Sequence, residues 1–341
     1  MRRLRRTLTV TRLELLHLLR DRTTRSLLVA VPVLQLLLFG YAVNLDPREV
    51  PVAIASTASG AAALVAQSDH LSVAADGLAP GAATRLVEVG QALIAIEQDA
   101  TGFQVVVDAS DPAAVRPALA ALERALHRQA APPVVVEWRH NPDQRTAWAI
   151  VPGLAGAVAM ISMLMLGALT LVRERERGTW EGLLATPLGA AEVLAGKLAP
   201  YVPIGTLQAA LVVGGAALLF ELPVRGSLLP FLAAAALCAA SYLAVGFVIS
   251  AHSRTQMQAI QLAVMLYLPS MLLSGFMFPF QGMPAWARAL GEALPLTHFV
   301  RVSRDVLLRG GDGGRVELTW LAGLAAGCIL LAAATYRRRL D

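Results

Sequence analysis

Six stretches of this 341-residue chain carry no Asp, Glu, Lys or Arg: Ser26–Leu45, Thr146–Val172, Leu198–Phe220, Gly226–Ala251, Thr255–Ala287 and Leu318–Tyr336. A helix of about 20 such residues crosses a bilayer. A soluble core would have to hold several consecutive helices that are apolar on every face, which a chain of this length does not do. The 56% hydrophobic content, 16% charged content and mean hydropathy of +0.58 agree, so the sequence describes a polytopic, mostly α membrane protein. The fifth stretch is too long for one crossing, so a helix to Ser274 should be followed by a segment that folds back. Spans are therefore expected at 26–45, 146–172, 201–220, 228–250, 256–274 and 318–336, with a re-entrant external hairpin and loop over 275–316.

Arginine sets the orientation. Eight arginines precede the first span (Arg2, Arg3, Arg5, Arg6, Arg12, Arg20, Arg22 and Arg25), and Arg337, Arg338 and Arg339 follow the last. Positive residues flanking short loops stay in the cytoplasm. Both ends, including the tail 337–341, are then cytoplasmic, as six spans require, and so is the loop 173–200. The 275–316 loop runs against this rule, with Arg288, Arg301, Arg304, Arg309 and Arg315 outside, offset by Glu292, Asp305, Asp312 and Glu317. Lysine occurs once, at Lys197, among 29 basic residues. That usage points to a GC-rich bacterial genome but not to an envelope type; the expected location is a bacterial inner (cell) membrane.

Residues 1–25 read as an amphipathic helix. Leu4, Leu8, Leu15, Leu18 and Leu19 gather on one side, with Arg2, Arg6 and Arg20 opposite; such a helix lies in the cytoplasmic membrane interface, its arginines, Arg12 included, among the lipid headgroups. The alternative is an uncleaved positive anchor with no other role; no small-residue cleavage site marks a signal peptide. Between the first two spans, residues 46–145 hold β-like runs (VPVAIAS, ALIAIE, FQVVVDAS, PVVVEW) alternating with Ala-rich helical runs. Asp111-Pro112 reads as an N-cap and first helical residue for 112–129. A small external α/β domain is expected, with His70, His127 and His140 on its solvated surface. Cys238 and Cys328 fall in spans and read as packing residues, neither disulfide nor metal ligands. Trp148, Trp286 and Trp320 are expected at span ends, and Gly323 and Gly327 on a small-residue face.

The span interiors offer polar groups such as Gln35, Gln208, Ser241 and Tyr242, with nothing ionised. An ion-coupled carrier keeps ionised groups at mid-membrane despite a cost of roughly 2.5–3.5 kcal/mol each, so that class is disfavoured. No H-E-x-x-H or G-x-S-x-G motif and no paired carboxylates within spans support a hydrolase. A nucleotide site is absent too: Gly189 and Gly196-Lys197 enclose six residues where a phosphate loop needs four, and Leu198 stands where Ser or Thr would bind Mg²⁺. Catalysis by this chain is not expected; nor is any bound cofactor or metal, or nucleic acid.

The segment after the second span is distinctive. Arg173-Glu174-Arg175-Glu176-Arg177 should continue the helix into water, Gly178 should break it, and Thr186-Pro187 should restart it before Lys197. Such a charged, capped helix suits docking to a soluble partner; an ordinary solvated loop is the alternative. The run RERERGTWEGLLATPLGAAEVLAGKLAPY resembles the cytoplasmic loop of the membrane subunits of ABC type-2 transporters, through Arg173, Glu174, Glu176, Gly178, Thr179, Glu181, Leu183, Thr186, Pro187, Gly196, Lys197 and Tyr201. Two further blocks resemble the same family. One is its entry to the second span, through Asn141, Pro142, Val151, Pro152 and Gly153. The other is its external hairpin, through Ser274, Gly275, Phe278, Pro279, Met283, Pro284, Trp286, Pro295, Leu296, Thr297 and Arg304.

The resemblance implies the permease half of an exporter. ATP and Mg²⁺ would be bound by separate cytoplasmic ABC ATPase subunits, and a second permease, identical or related, would complete the path. It also implies that Arg173–Lys197 couples to the ATPase, and that the hairpin bearing Phe278, Pro279, Met283, Pro284, Trp286 and Pro295 closes the outer end. Uncharged spans suit a hydrophobic or amphiphilic cargo; membrane lipid and an external envelope partner are further expected contacts. The competing function is a non-transporting receptor or scaffold whose external domain binds a ligand.

Overall fold

The computed structural model describes residues 50–56, 58, 61–66, 71–98, 103–110, 115–120, 122–123, 134–143, 145–176, 178 and 200–340. The basic N-terminal segment and the first span lie outside these residues, as do residues 179–199.

Five strands, β1 (Val50–Ala55), β2 (Leu71–Leu78), β3 (Ile94–Gln98), β4 (Phe103–Asp108) and β5 (Val134–Arg139), form one sheet in the order β2-β1-β3-β4-β5. All neighbours are parallel except β3 and β4, a hairpin pair in which Ile94 faces Val107 and Gln98 faces Phe103. Helices α1 (Ala61–Ala66) and α2 (Ala82–Glu88) connect β1, β2 and β3. On one face Val52, Ile54, Ile94, Ile96, Val105 and Val107 pack with Val115, Leu119 and Leu122. On the other, Ala53, Ala55, Ala95 and Val106 pack against Ala83 and Val87 of α2. Burial of both faces is why these strands read as unbroken apolar runs. Strand β2 gives no such signal: it is an edge strand with only Leu71 buried, and two register shifts interrupt its pairing with β1. The 115–120 segment is helical as its composition suggests, whereas Asp111 and Pro112 lie outside the described residues.

The remaining chain is a helical bundle. Helices α3 (Thr146–Glu176), α4 (Tyr201–Phe220), α5 (Leu228–His252), α6 (Gln256–Leu273) and α9 (Arg315–Leu340) are joined by two short helices, α7 (Ala285–Glu292) and α8 (Pro295–Arg304). Among the described residues, five helices are long and apolar enough to cross a membrane: 147–176, 201–220, 228–252, 256–273 and 315–336. Helix α5 is central, packed between α3 and α9. Its crossing with α3 is backbone to backbone. A Cβ on Gly167 would lie 2.3 Å from the Leu243 carbonyl oxygen, and one on Gly246 would lie 2.4 Å from that of Leu164. In lipid, where apolar burial gives no net drive for helices to associate, such small-residue contact supplies the packing energy. Ser250 adds a polar tie, its Oγ accepting from the amides of Leu171 and Val172 at 2.9 and 3.1 Å.

After α6 the chain reverses at Gly275, makes a 3₁₀ turn at Phe280–Gly282, and continues through α7 and α8. Pro295 opens α8, where its missing N–H costs nothing. A π-type turn, Asp305–Arg309, leads through Gly310 to α9. Trp286 sits on α7, exposed, thirteen residues beyond Leu273, the last residue of α6.

Candidate functional site

The bundle has two ends: one carries the sheet domain, and the other carries the last turn of α3. At that far end, the Arg-Glu run is only partly displayed. Arg173 is exposed, whereas Glu174 and Arg175 are half-buried. Arg175 Nη1 donates to the carbonyls of Ala251 and Ser253 at 3.3 and 3.1 Å, closing the C-terminus of α5. A cation there also meets the negative end of the helix dipole. Glu176 accepts from the Gln256 backbone amide at 2.8 Å and from its side-chain amide, holding the first turn of α6. The last turn of α3 thus clasps both ends of the α5–α6 connection. Helix α3 stops at Glu176, and Gly178 follows with φ +71°, a left-handed conformation that glycine adopts without strain. Arg177, Thr179, Glu181, Thr186, Pro187 and Lys197 lie outside the described residues, as do Arg2, Arg6, Arg12 and Arg20.

At the sheet end, the hairpin residues singled out from sequence have packing roles. Phe278 and Met283 join a small core with Leu272, Leu273 and Ala287. Pro279 and Pro295 are buried, while Pro284 precedes α7 and is half-buried. Thr297 Oγ donates to the Gly291 carbonyl at 2.6 Å. Phe299 presses on α3 where Gly156 leaves room, since a Cβ there would lie 2.3 Å from the ring. The polar residues of the spans likewise serve packing: Tyr242 Oη accepts from the Leu296 amide at 3.4 Å, and Ser241 Oγ donates to the Leu237 carbonyl at 2.7 Å.

Two polar clusters escaped the sequence reading. In the first, His298 is buried between Glu317 and the last turn of α7, with Arg301 one turn along the same helix. In the second, Arg309 of the π-type turn reaches Asp108 at the end of β4. Asp108 is fully buried and accepts from the Ser110 amide at 2.9 Å through its other oxygen. Gly90 makes room for this arginine: a Cβ there would lie 2.5 Å from Arg309 Nη1. Arg225 steadies the same turn by donating to the Leu308 carbonyl at 2.8 Å. His140 stands beside this cluster, 8% exposed at φ +67°, and its buried Nε2 has no partner among the described residues. Burial holds its pKa below the ordinary histidine value; Asp108 opposes that and Arg309 reinforces it. His140 is therefore a neutral buried group, contrary to its expected place on a solvated surface. Between the two clusters lies a cavity of about 740 Å³, bounded by Val89 and Gly90 of the sheet domain and by Phe280, Arg301, Arg304 and Glu317 of the bundle. Its size falls within the range of small-molecule sites.

The family model described as "ABC-2 type transporter" matches residues 134–308, from β5 to the π-type turn. The chain is 30% identical to "Probable multidrug ABC transporter permease YbhS" of Escherichia coli (strain K12) over an alignment of 365 residues, covering 96% of this chain and 96% of that protein. It is also 30% identical to "Probable multidrug ABC transporter permease YbhR" of the same strain over 187 residues, 55% of this chain and 50% of that protein. Against ABC transporter G family member 20 of Dictyostelium discoideum, identity is 28% over 185 residues, 54% of this chain and 25% of that protein. The chain thus spans about half the length of YbhR and nearly all of YbhS. Strands β1 to β4 precede the matched family region but fall within the reach of the YbhS alignment.

Proposed function

The chain belongs to the ABC-2 type transporter family, and on that premise we propose that it is the permease subunit of an exporter driven by separate cytoplasmic ABC ATPases. It forms the transmembrane path with a second permease, identical or related, and the ATPases bind the ATP and Mg²⁺. The cargo is hydrophobic or amphiphilic. Spans without internal charge support that reading, as do the multidrug names of YbhR and YbhS. The far end of the bundle faces the cytoplasm with both chain termini, and the sheet domain faces outward. The arginines of the 275–316 loop are compatible with this orientation because Arg301 and Arg309 are already held in ion pairs.

The observation that carries the proposal is the clasp at the end of α3. Residues 179–199 begin directly beyond it, and Arg175 and Glu176 link α3 to α5 and α6. An ATPase that displaces the 179–199 segment therefore moves three helices together. The decisive test is the Glu181→Lys variant in native membranes. It should insert normally, yet lose transport-stimulated ATP hydrolysis by tenfold or more. Unchanged coupling removes Glu181 from the contact. Failure to co-purify any ATPase with the wild-type chain favours a receptor or scaffold instead.

A further inference from the structure

His298 holds three helices at one point. Its side chain is 2% exposed. Nδ1 lies 2.5 Å from Glu317 Oε2 at the start of α9, and Nε2 lies 2.9 Å from the Glu292 carbonyl oxygen at the end of α7. Both partners accept. A neutral imidazole has one N–H and one lone pair, so it would satisfy one acceptor and turn a lone pair on the other; only the imidazolium donates to both. The other charged groups facing the ring are few. Arg301 donates to Glu292 at 2.6 and 3.0 Å and to Glu317 at 3.2 Å, and Glu292 Oε2 lies 4.0 Å from Nε2. Arg301 and the imidazole thus share two carboxylates. The Trp320 ring lies within 8° of parallel to the imidazole, the two ring centroids 6.1 Å apart.

From this geometry we propose that His298 is kept as an imidazolium and acts as the positioning residue that pins the start of α9 to the α7–α8 hairpin, a clip that opens when the ring loses its proton. Arg301 and Glu317 form part of the wall of the 740 Å³ cavity, so opening the clip reshapes that cavity. Burial on its own lowers the histidine pKa, but the Glu317 carboxylate and the Glu292 carbonyl outweigh it and the net shift is upward. The sign follows. The clip's contribution is complete below the ordinary histidine pKa and is lost as pH rises through the raised one. This inference does not depend on transport.

The test uses the full chain in lipid nanodiscs with ¹⁵N-labelled histidine, the His298 signal being assigned by its loss in His298→Gln. The expected result is an imidazolium spectrum persisting well above about pH 6.5, the ordinary histidine midpoint. Glu317→Gln should move that titration to lower pH. The thermal midpoint of the wild type should fall between about pH 7 and 9, and His298→Gln should lack that fall. If His298→Gln does not fold, Glu317→Gln still reports through the thermal midpoint, whose fall with rising pH should move to lower pH than in the wild type. A His298 titration at or below the ordinary value, or one that Glu317→Gln leaves in place, overturns the proposal.

Discussion

Arg309 places Nε and Nη2 on a single carboxylate oxygen of Asp108, at 3.1 and 2.7 Å, although the two residues lie 201 positions apart in the chain. One belongs to the bundle and the other to the sheet domain. The pair joins the two parts where the carboxylate is fully buried, so each charge depends on the other for its solvation. Arg309→Met leaves Asp108 buried and unpaired and should destabilise the junction by roughly 3–5 kcal/mol. Replacing both residues with apolar ones should cost less than that single change. Thermal denaturation of the purified chain and limited proteolysis check both. Gly90→Ala should imitate Arg309→Met, because the new methyl group takes the guanidinium's place.

The α3–α5 crossing predicts a second outcome. Gly167→Val puts a branched side chain where the Leu243 carbonyl oxygen already sits. The helices must separate, at a cost of about 1–3 kcal/mol or more. The expected readout is a lower thermal midpoint and less folded protein in the membrane. Gly323→Val on α9 is the control, since a Cβ there meets nothing within 4 Å.

The clasp at the far end predicts that stability and coupling separate. Arg175→Met removes the donor from the Ala251 and Ser253 carbonyls and should cost about 1.5–3 kcal/mol. If the clasp carries motion from residues 179–199 to α5 and α6, ATP hydrolysis by the assembled exporter should persist while cargo movement falls. Arg175→Lys should restore part of the coupling. Simultaneous assays of hydrolysis and transport in proteoliposomes distinguish this from simple misfolding, which lowers both.

His140 predicts an acid limit of opposite sign to that of His298. Its folded-state pKa is lowered by burial, so its contribution is present above the ordinary histidine pKa and is lost as pH falls through the depressed one. The wild-type thermal midpoint should decline on acidification below about pH 6.5, and His140→Gln should flatten that decline. A pH series from 4.5 to 7 on the two proteins measures it.

The membrane class, the α/β character of the first domain and four of its five strands were legible because each rests on a local pattern. A charge-free run of bilayer length and a short apolar run between turns are both written in consecutive residues. Strand β2 was not legible, since an edge position asks for no apolar side chains. The hairpin motif was visible through Phe278, Met283, Pro295 and Thr297, but its chemistry was not. His298 occupies the unspecified position between Thr297 and Phe299, and only Glu317 on another helix gives it meaning.

Consecutive residues alone establish that this chain has charge-free runs long enough to cross a membrane repeatedly, and where the apolar part of α3 gives way to a charged run. Those properties follow from the transfer of single residues between water and hydrocarbon, which needs no knowledge of neighbours. Tertiary structure decided which charges are in use. Arg175 and Glu176 are spent on α5 and α6, Arg309 on Asp108, and Arg301 on Glu292 and Glu317. A charge acquires its partner only when distant segments meet in space, and nothing in the order of residues along a chain records that distance.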